Sequence, residues 1–152
     1  MSLARRSPIA RGGPLKRGSS KPGRPRNTGP SATTSDIVWA RAGGRCEICA
    51  GPLAGVLGFS RHHRLPRRMG GSRRPELNAP SNLLVICGSG TTGCHGRIES
   101  HRERAYEDGL ILRADQNPLH VPAMLADPHH PSLWPRLVWL TDDGTYTEEP
   151  PA

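Results

Sequence analysis

Apolar and aromatic side chains are scarce in this chain: of 152 residues, 34% are hydrophobic and 4% aromatic, against 18 Gly and 16 Pro. A core drawn from so little material is short of burial free energy. That limits the chain to one small domain and makes a metal staple the usual supplement. No apolar run approaches the ~20 residues that a membrane-spanning helix needs, so a membrane partner is not expected. Lysine is nearly missing as well, with Arg supplying 19 of the 21 basic residues. Met1 to Pro30 carries charge and proline where a secretory leader would have its apolar segment, so a reducing cytoplasmic compartment is expected.

Acid is the other local absence. Residues 1–30 contain eight basic residues and no Asp or Glu, which accounts for the whole net charge of +8. Residues 31–152 balance thirteen Arg against thirteen acids, yet nine of those Arg fall between Arg61 and Arg104 against only Glu76, Glu99 and Glu103. Positive charge so concentrated suits a phosphate-bearing partner. Residues 1–34, rich in Arg, Pro, Gly and Ser without hydrophobic periodicity, are expected to be a disordered basic arm able to neutralise phosphates without reading sequence.

Local signals divide the remainder. Ser35-Asp36 reads as the cap of a short helix over Ile37–Ala42, ended by Gly43-Gly44. Val56–His63 reads as a strand, and Leu65–Pro80 as an Arg-, Gly- and Pro-rich loop. Asn82–Ile86 is an apolar turn or strand delivering Cys87, and Cys94–Tyr106 is expected to be helical up to Asp108-Gly109. Leu110–Leu112 reads as one short strand, and further on the best signal is a hairpin: Arg136–Leu140 and Thr145–Thr147 flank Asp143-Gly144.

All four cysteines fall in two close pairs, Cys46-x2-Cys49 and Cys87-x6-Cys94. In an oxidising compartment they would serve as disulfides. In a reducing one they read as the four thiolates of a closed, structural zinc site. The gap of six is wide for such a site, but Gly88, Gly90 and Gly93 allow a compact excursion. The second group is His62-His63, Asn82 and His95. Neighbouring residues on a strand point to opposite faces. One imidazole can therefore hold a metal while the other moves a proton, a role worth typically about 10²–10⁴-fold in rate.

The run His62-His63-Arg64-Leu65-Pro66-Arg67-Arg68-Met69-Gly70-Gly71, then Asn82-Leu83-Leu84-Val85-Ile86-Cys87, then Cys94-His95-Gly96-Arg97-Ile98, resembles the HNH endonucleases, in particular zinc-stapled members from phages and prophages of actinobacteria. The resemblance covers residues 36–113. It implies a small α+β fold in which two antiparallel strands and a helix clamp one divalent cation, the ββα-metal unit, with the nuclease domain over 35–113 and an extension over 114–152. It further implies that His62 and His95 hold a catalytic Mg²⁺, Mn²⁺, Ni²⁺ or Zn²⁺, that His63 is the general base, and that Asn82 bonds backbone across the loop to orient His63. Glu99, one turn after His95, is a candidate third ligand. The partner implied is double-stranded DNA in a bacterial host, with the large terminase of the phage packaging machinery as a protein partner. Arg61, Arg64, Arg67, Arg68, Arg97 and Arg102 are candidates for phosphate contact. Two other functions fit the same residues: a zinc-stapled module that binds nucleic acid without cutting it, and a restriction or homing-type nuclease.

Overall fold

The computed structural model describes residues 29–56, 58–67, 74–126 and 135–151. Among the described residues it is a small α+β fold with three short α-helices, three 3-10 turns and two small sheets. Helix α1, Ala32–Ala42, starts earlier than the Ser35-Asp36 signal suggests. Ser31 is the cap, its Oγ accepting from the Thr34 N–H at 3.0 Å, while the Ser35 hydroxyl folds back to donate to the Ser31 carbonyl. The expected basic arm therefore gives way to structure before residue 34, and its residues 1–28 lie outside the described ones. Gly43, in left-handed geometry, ends the helix as expected.

Strands β1 (Phe59–His63) and β2 (Leu83–Cys87) pair antiparallel, with Phe59 opposite Cys87 and His63 opposite Leu83. β2 is apolar at every position but its last and buried along Leu83–Ile86, because α1 and the next helix both pack on it. A strand covered on both sides loses the usual alternation and reads as a continuous hydrophobic run. The expected single helix over Cys94–Tyr106 is two: α2, Gly93–Ser100, and α3, Arg102–Glu107. They break at His101 (φ −125°, ψ 57°). There Ser100 Oγ donates to the Gly96 carbonyl, and His101 Nδ1 lies 2.9 Å from that hydroxyl, local bonds that compete with helical ones. Leu110–Leu112 is not a strand. Its amides bond to the carbonyls of Ala105 and Arg64 and its side chains are buried.

The C-terminal segment adds a second sheet of β3 (Ala123–Leu125), β4 (Arg136–Leu140) and β5 (Tyr146–Thr147), with the hairpin expected around Asp143-Gly144 between the last two. Ala123, Leu125, Val138 and Leu140 share one cluster with Val38, Leu83–Ile86 and Ile98, so the extension completes the main core. Glu47, fully buried, clips the two parts together. It accepts from Arg41 Nε (2.8 Å), the Tyr146 hydroxyl (2.7 Å) and the Val85 amide (2.6 Å).

Arg64 is the largest fully buried side chain, which corrects its expected role at phosphate. Its guanidinium donates to the carbonyls of Gly109 (2.7 Å), Ser81, Pro118, Val121 (2.6 Å) and Pro122. Burial lowers its pKa to about 9, so it stays charged at neutral pH, and the carbonyl dipoles replace the lost water. Gly109 is required beneath it: at φ 65° a Cβ would stand 1.9 Å from the Pro122 carbonyl oxygen. Arg64→Ala should strand several buried carbonyls and cost on the order of 3 kcal/mol or more in urea denaturation, whereas Arg61→Ala, at an exposed position, should stay within about 0.5 kcal/mol.

Candidate metal centres

The two cysteine pairs meet where the turn after α1 faces the end of β2. Cys46, Cys49, Cys87 and Cys94 each bring a sulfur within 4.8 Å of the others, and none is in a disulfide. Cys49 and Cys87 Sγ are 4.0 Å apart, near the ~3.8 Å edge of a tetrahedron built on zinc–sulfur bonds of about 2.3 Å. The wide gap closes through Gly88 (φ 86°), where a Cβ would collide with the Thr92 carbonyl at 2.0 Å. The amides of Cys87 and Cys94 point at the sulfurs of Cys46 and Cys87, each at 3.4 Å.

Packed thiols cannot all ionise without a counter-charge. The Cys46 thiol is lowered to about 4, first by the hydrogen bond from Cys94, while that same partnership and burial push Cys94 strongly upward. A divalent cation removes this conflict, since it is the charge that four converging thiolates lack. The cluster is thus suited in number, spacing and chemistry to a metal such as zinc.

The second centre forms where β1 meets α2. His62, His95 and Glu99 offer one donor atom each within 4.8 Å of one another, and the rings of His62 and His95 meet edge to face at 5.2 Å. His62 Nε2 donates to the Leu110 carbonyl at 2.8 Å, which fixes the tautomer and leaves Nδ1 with its lone pair. Burial lowers the His62 pKa to about 4, so the ring is neutral at pH 7, the form that ligates. Glu99 divides its oxygens: Oε2 takes Arg102 at 2.7 Å, and Oε1 stands 3.9 Å from His95 Nε2. His95 Nδ1 is buried without a hydrogen-bond partner, and Nε2 is the nitrogen that faces Glu99. Two imidazoles and a carboxylate in this arrangement fit a divalent cation.

His63 lies beside this group, half-buried, with Nε2 donating to Asn78 Oδ1 at 3.2 Å. Burial lowers its pKa, against the Asn78 bond, and Arg67 and Arg61 lower it further. It is therefore neutral, with Nδ1 free to accept a proton. Asn82 is fully buried. Its Oδ1 accepts from the Leu65 amide at 2.6 Å and its Nδ2 donates to the Leu77 carbonyl at 2.9 Å. It bridges the loop backbone as expected, but the side chain bonded to His63 is Asn78. Neither Asn78 nor the Leu110 carbonyl carries a spacing signal: Asn78 ends a 3-10 turn over Pro75–Asn78, inside what the sequence reads as a loop, and Leu110 follows the turn at Gly109.

The arginines divide. Arg61, Arg67 and Arg102 line a cleft of about 240 Å³ with His62, His63, His95 and Glu99. Arg97 lies instead on a groove on another side of α2, with Ile98, His101 and Arg104, and Arg68 falls outside the described residues. No family model, curated protein or solved structure matches this chain.

Purified protein is expected to carry one zinc per chain by elemental analysis. Cys46→Ser should lose it together with the cooperative thermal transition, and cobalt replacement should show thiolate charge-transfer bands. Nickel titration of the zinc-loaded chain should detect one further site. His95→Ala should abolish that site while leaving the zinc in place.

Proposed function

We propose that this protein is a metal-dependent DNA endonuclease of the HNH, ββα-metal type, as the sequence resemblance implies. The observation that carries the reading is the convergence of His62, His95 and Glu99 beside a neutral His63 in one arginine-lined cleft. The strands β1 and β2 and the helix α2 carry those residues, which supports this reading.

His63 Nδ1 takes the proton of the attacking water, while the Asn78 carbonyl oxygen holds the opposite nitrogen and fixes the ring plane. Asn82 ties the backbone of Leu65 to that of Leu77 and so acts on His63 at one remove. His62, His95 and Glu99 hold the cation. When bound, a divalent ion neutralises charge developing on the phosphate and on the departing oxygen. Arg61, Arg67 and Arg102 supply phosphate contacts, and the basic segment before residue 30 adds non-specific grip. The products implied are a 5′-phosphate and a 3′-hydroxyl, with nicking of duplex DNA as the simplest activity of one chain. Phage or prophage origin and cooperation with a large terminase belong to the same reading.

The test is conversion of supercoiled plasmid with Mg²⁺, Mn²⁺ or Ni²⁺. His63→Ala should lower the rate by about 10²–10⁴-fold with its zinc content unchanged. A wild-type chain that retards plasmid without cutting it under any of the three metals would instead be a zinc-stapled binding module.

A further inference from the structure

The chain has three Trp, two Tyr and one Phe. In a core this poor, aromatic rings are the largest apolar groups on hand, and yet the single Phe stays at the surface. Phe59 is 46% exposed and Trp39, on α1, is 41% exposed. The two rings meet with centroids 4.9 Å apart at a tilt of 44°, so each covers part of the other and leaves its remaining surface open.

Their position relative to the cleft is set by strand geometry. Alternation along β1 puts Phe59, Arg61 and His63 on one face. Arg61 is exposed, and Arg61 and His63 both line the cleft. Phe59 is the next residue outward on that face, about 13 Å along the strand from His63 at ~3.3 Å per residue. Among the described residues β1 pairs only with β2. An imidazole, a guanidinium and an aromatic pair thus follow one another in line. A cation beside exposed rings is the combination that grips a nucleic-acid strand: the cation meets the phosphate, and the ring meets the face of a base. In an intact duplex the base faces are already stacked, and reaching one costs unstacking energy, so such a ring favours a nucleotide that is unpaired.

We propose that Trp39 and Phe59 form a stacking platform for an unpaired base of the DNA strand that passes through the cleft. The preferred substrate class then carries unpaired nucleotides beside the cut, as in a gap, a flap or a frayed end. This proposal rests on the endonuclease reading above.

The experiment uses the full-length, zinc-loaded chain carrying His63→Ala, so that DNA is bound without being cut. Affinity is measured by fluorescence anisotropy for a single-stranded oligonucleotide and for the same sequence as a blunt duplex, with and without Trp39→Leu or Phe59→Leu. Leucine keeps apolar bulk at an exposed site and removes the π face; zinc content and far-UV circular dichroism check the fold. Each Leu variant should weaken single-strand binding by roughly 5- to 100-fold and leave duplex binding within about twofold. Trp39→Phe should restore most of the loss. Single-strand binding should also quench tryptophan emission in the parent, and much less in Trp39→Leu. Equal losses on both DNAs, or no loss on either, overturn the platform while leaving the endonuclease reading intact. A parent that sediments as a dimer, dissociated by Trp39→Leu, would reassign the pair to a contact between copies and also overturn it. A parent that binds neither DNA defeats the endonuclease reading first, and the platform falls with it.

Discussion

The buried guanidinium of Arg64 is the constraint on which the arrangement of this molecule depends. It sits one residue after the His62-His63 pair and gathers carbonyls from five positions in turns and loops between Ser81 and Pro122. Loops cannot be buried unless their backbone acceptors find donors, and a chain with few apolar side chains has little else to hold them. One planar cation with five N–H groups does this for three connections at once. The end of β1 is thereby fixed against Gly109, and Leu110 next to it supplies the carbonyl that orients His62. The same side chain that closes the core also sets the geometry of the candidate centre.

Charge plays an analogous part at the other end. Arg41 and Glu47 are both buried and bond to each other, to backbone and to Tyr146. Together they bind α1, the turn carrying Cys46 and Cys49, β2 and the C-terminal hairpin. The cysteine cluster lies within the same framework, since Cys46 and Cys94 belong to the main hydrophobic cluster. Polar and metal-binding groups here take over work that Leu and Phe do in richer cores, in keeping with the small-domain argument. Such networks are demanding, because each member leaves buried partners unsatisfied when it is removed.

The two centres also differ in how open they are. Four thiolates around one point leave no open position, which suits a structural site. The two imidazoles and Glu99 border an open cleft with arginines on its walls, and His63 is held next to them by Asn78. An ion held there would keep positions for other oxygens. The exposed rings of Trp39 and Phe59 extend the same strand face away from the cleft.

The donors and their order were legible in the chain: four cysteines in two pairs, His62-His63, Asn82, His95 and Glu99 one helical turn on. So were β1, β2, the start of a helix near Cys94 and the final hairpin, because strand runs, glycine turns and i, i+4 spacing are local properties of sequence. Arg64 was misread because nothing local separates a buried arginine from an exposed one; its neighbours Arg61 and Arg67 look the same on paper. Asn78, the Leu110 carbonyl, the break at His101 and the docking of β3, β4 and β5 onto the core were equally hidden. Each depends on contacts between segments tens of residues apart. Residue identity, charge and spacing are written in the primary structure. Which guanidinium goes inside, which nitrogen keeps its lone pair and which loop closes the core were decided only when every buried carbonyl had to find a donor.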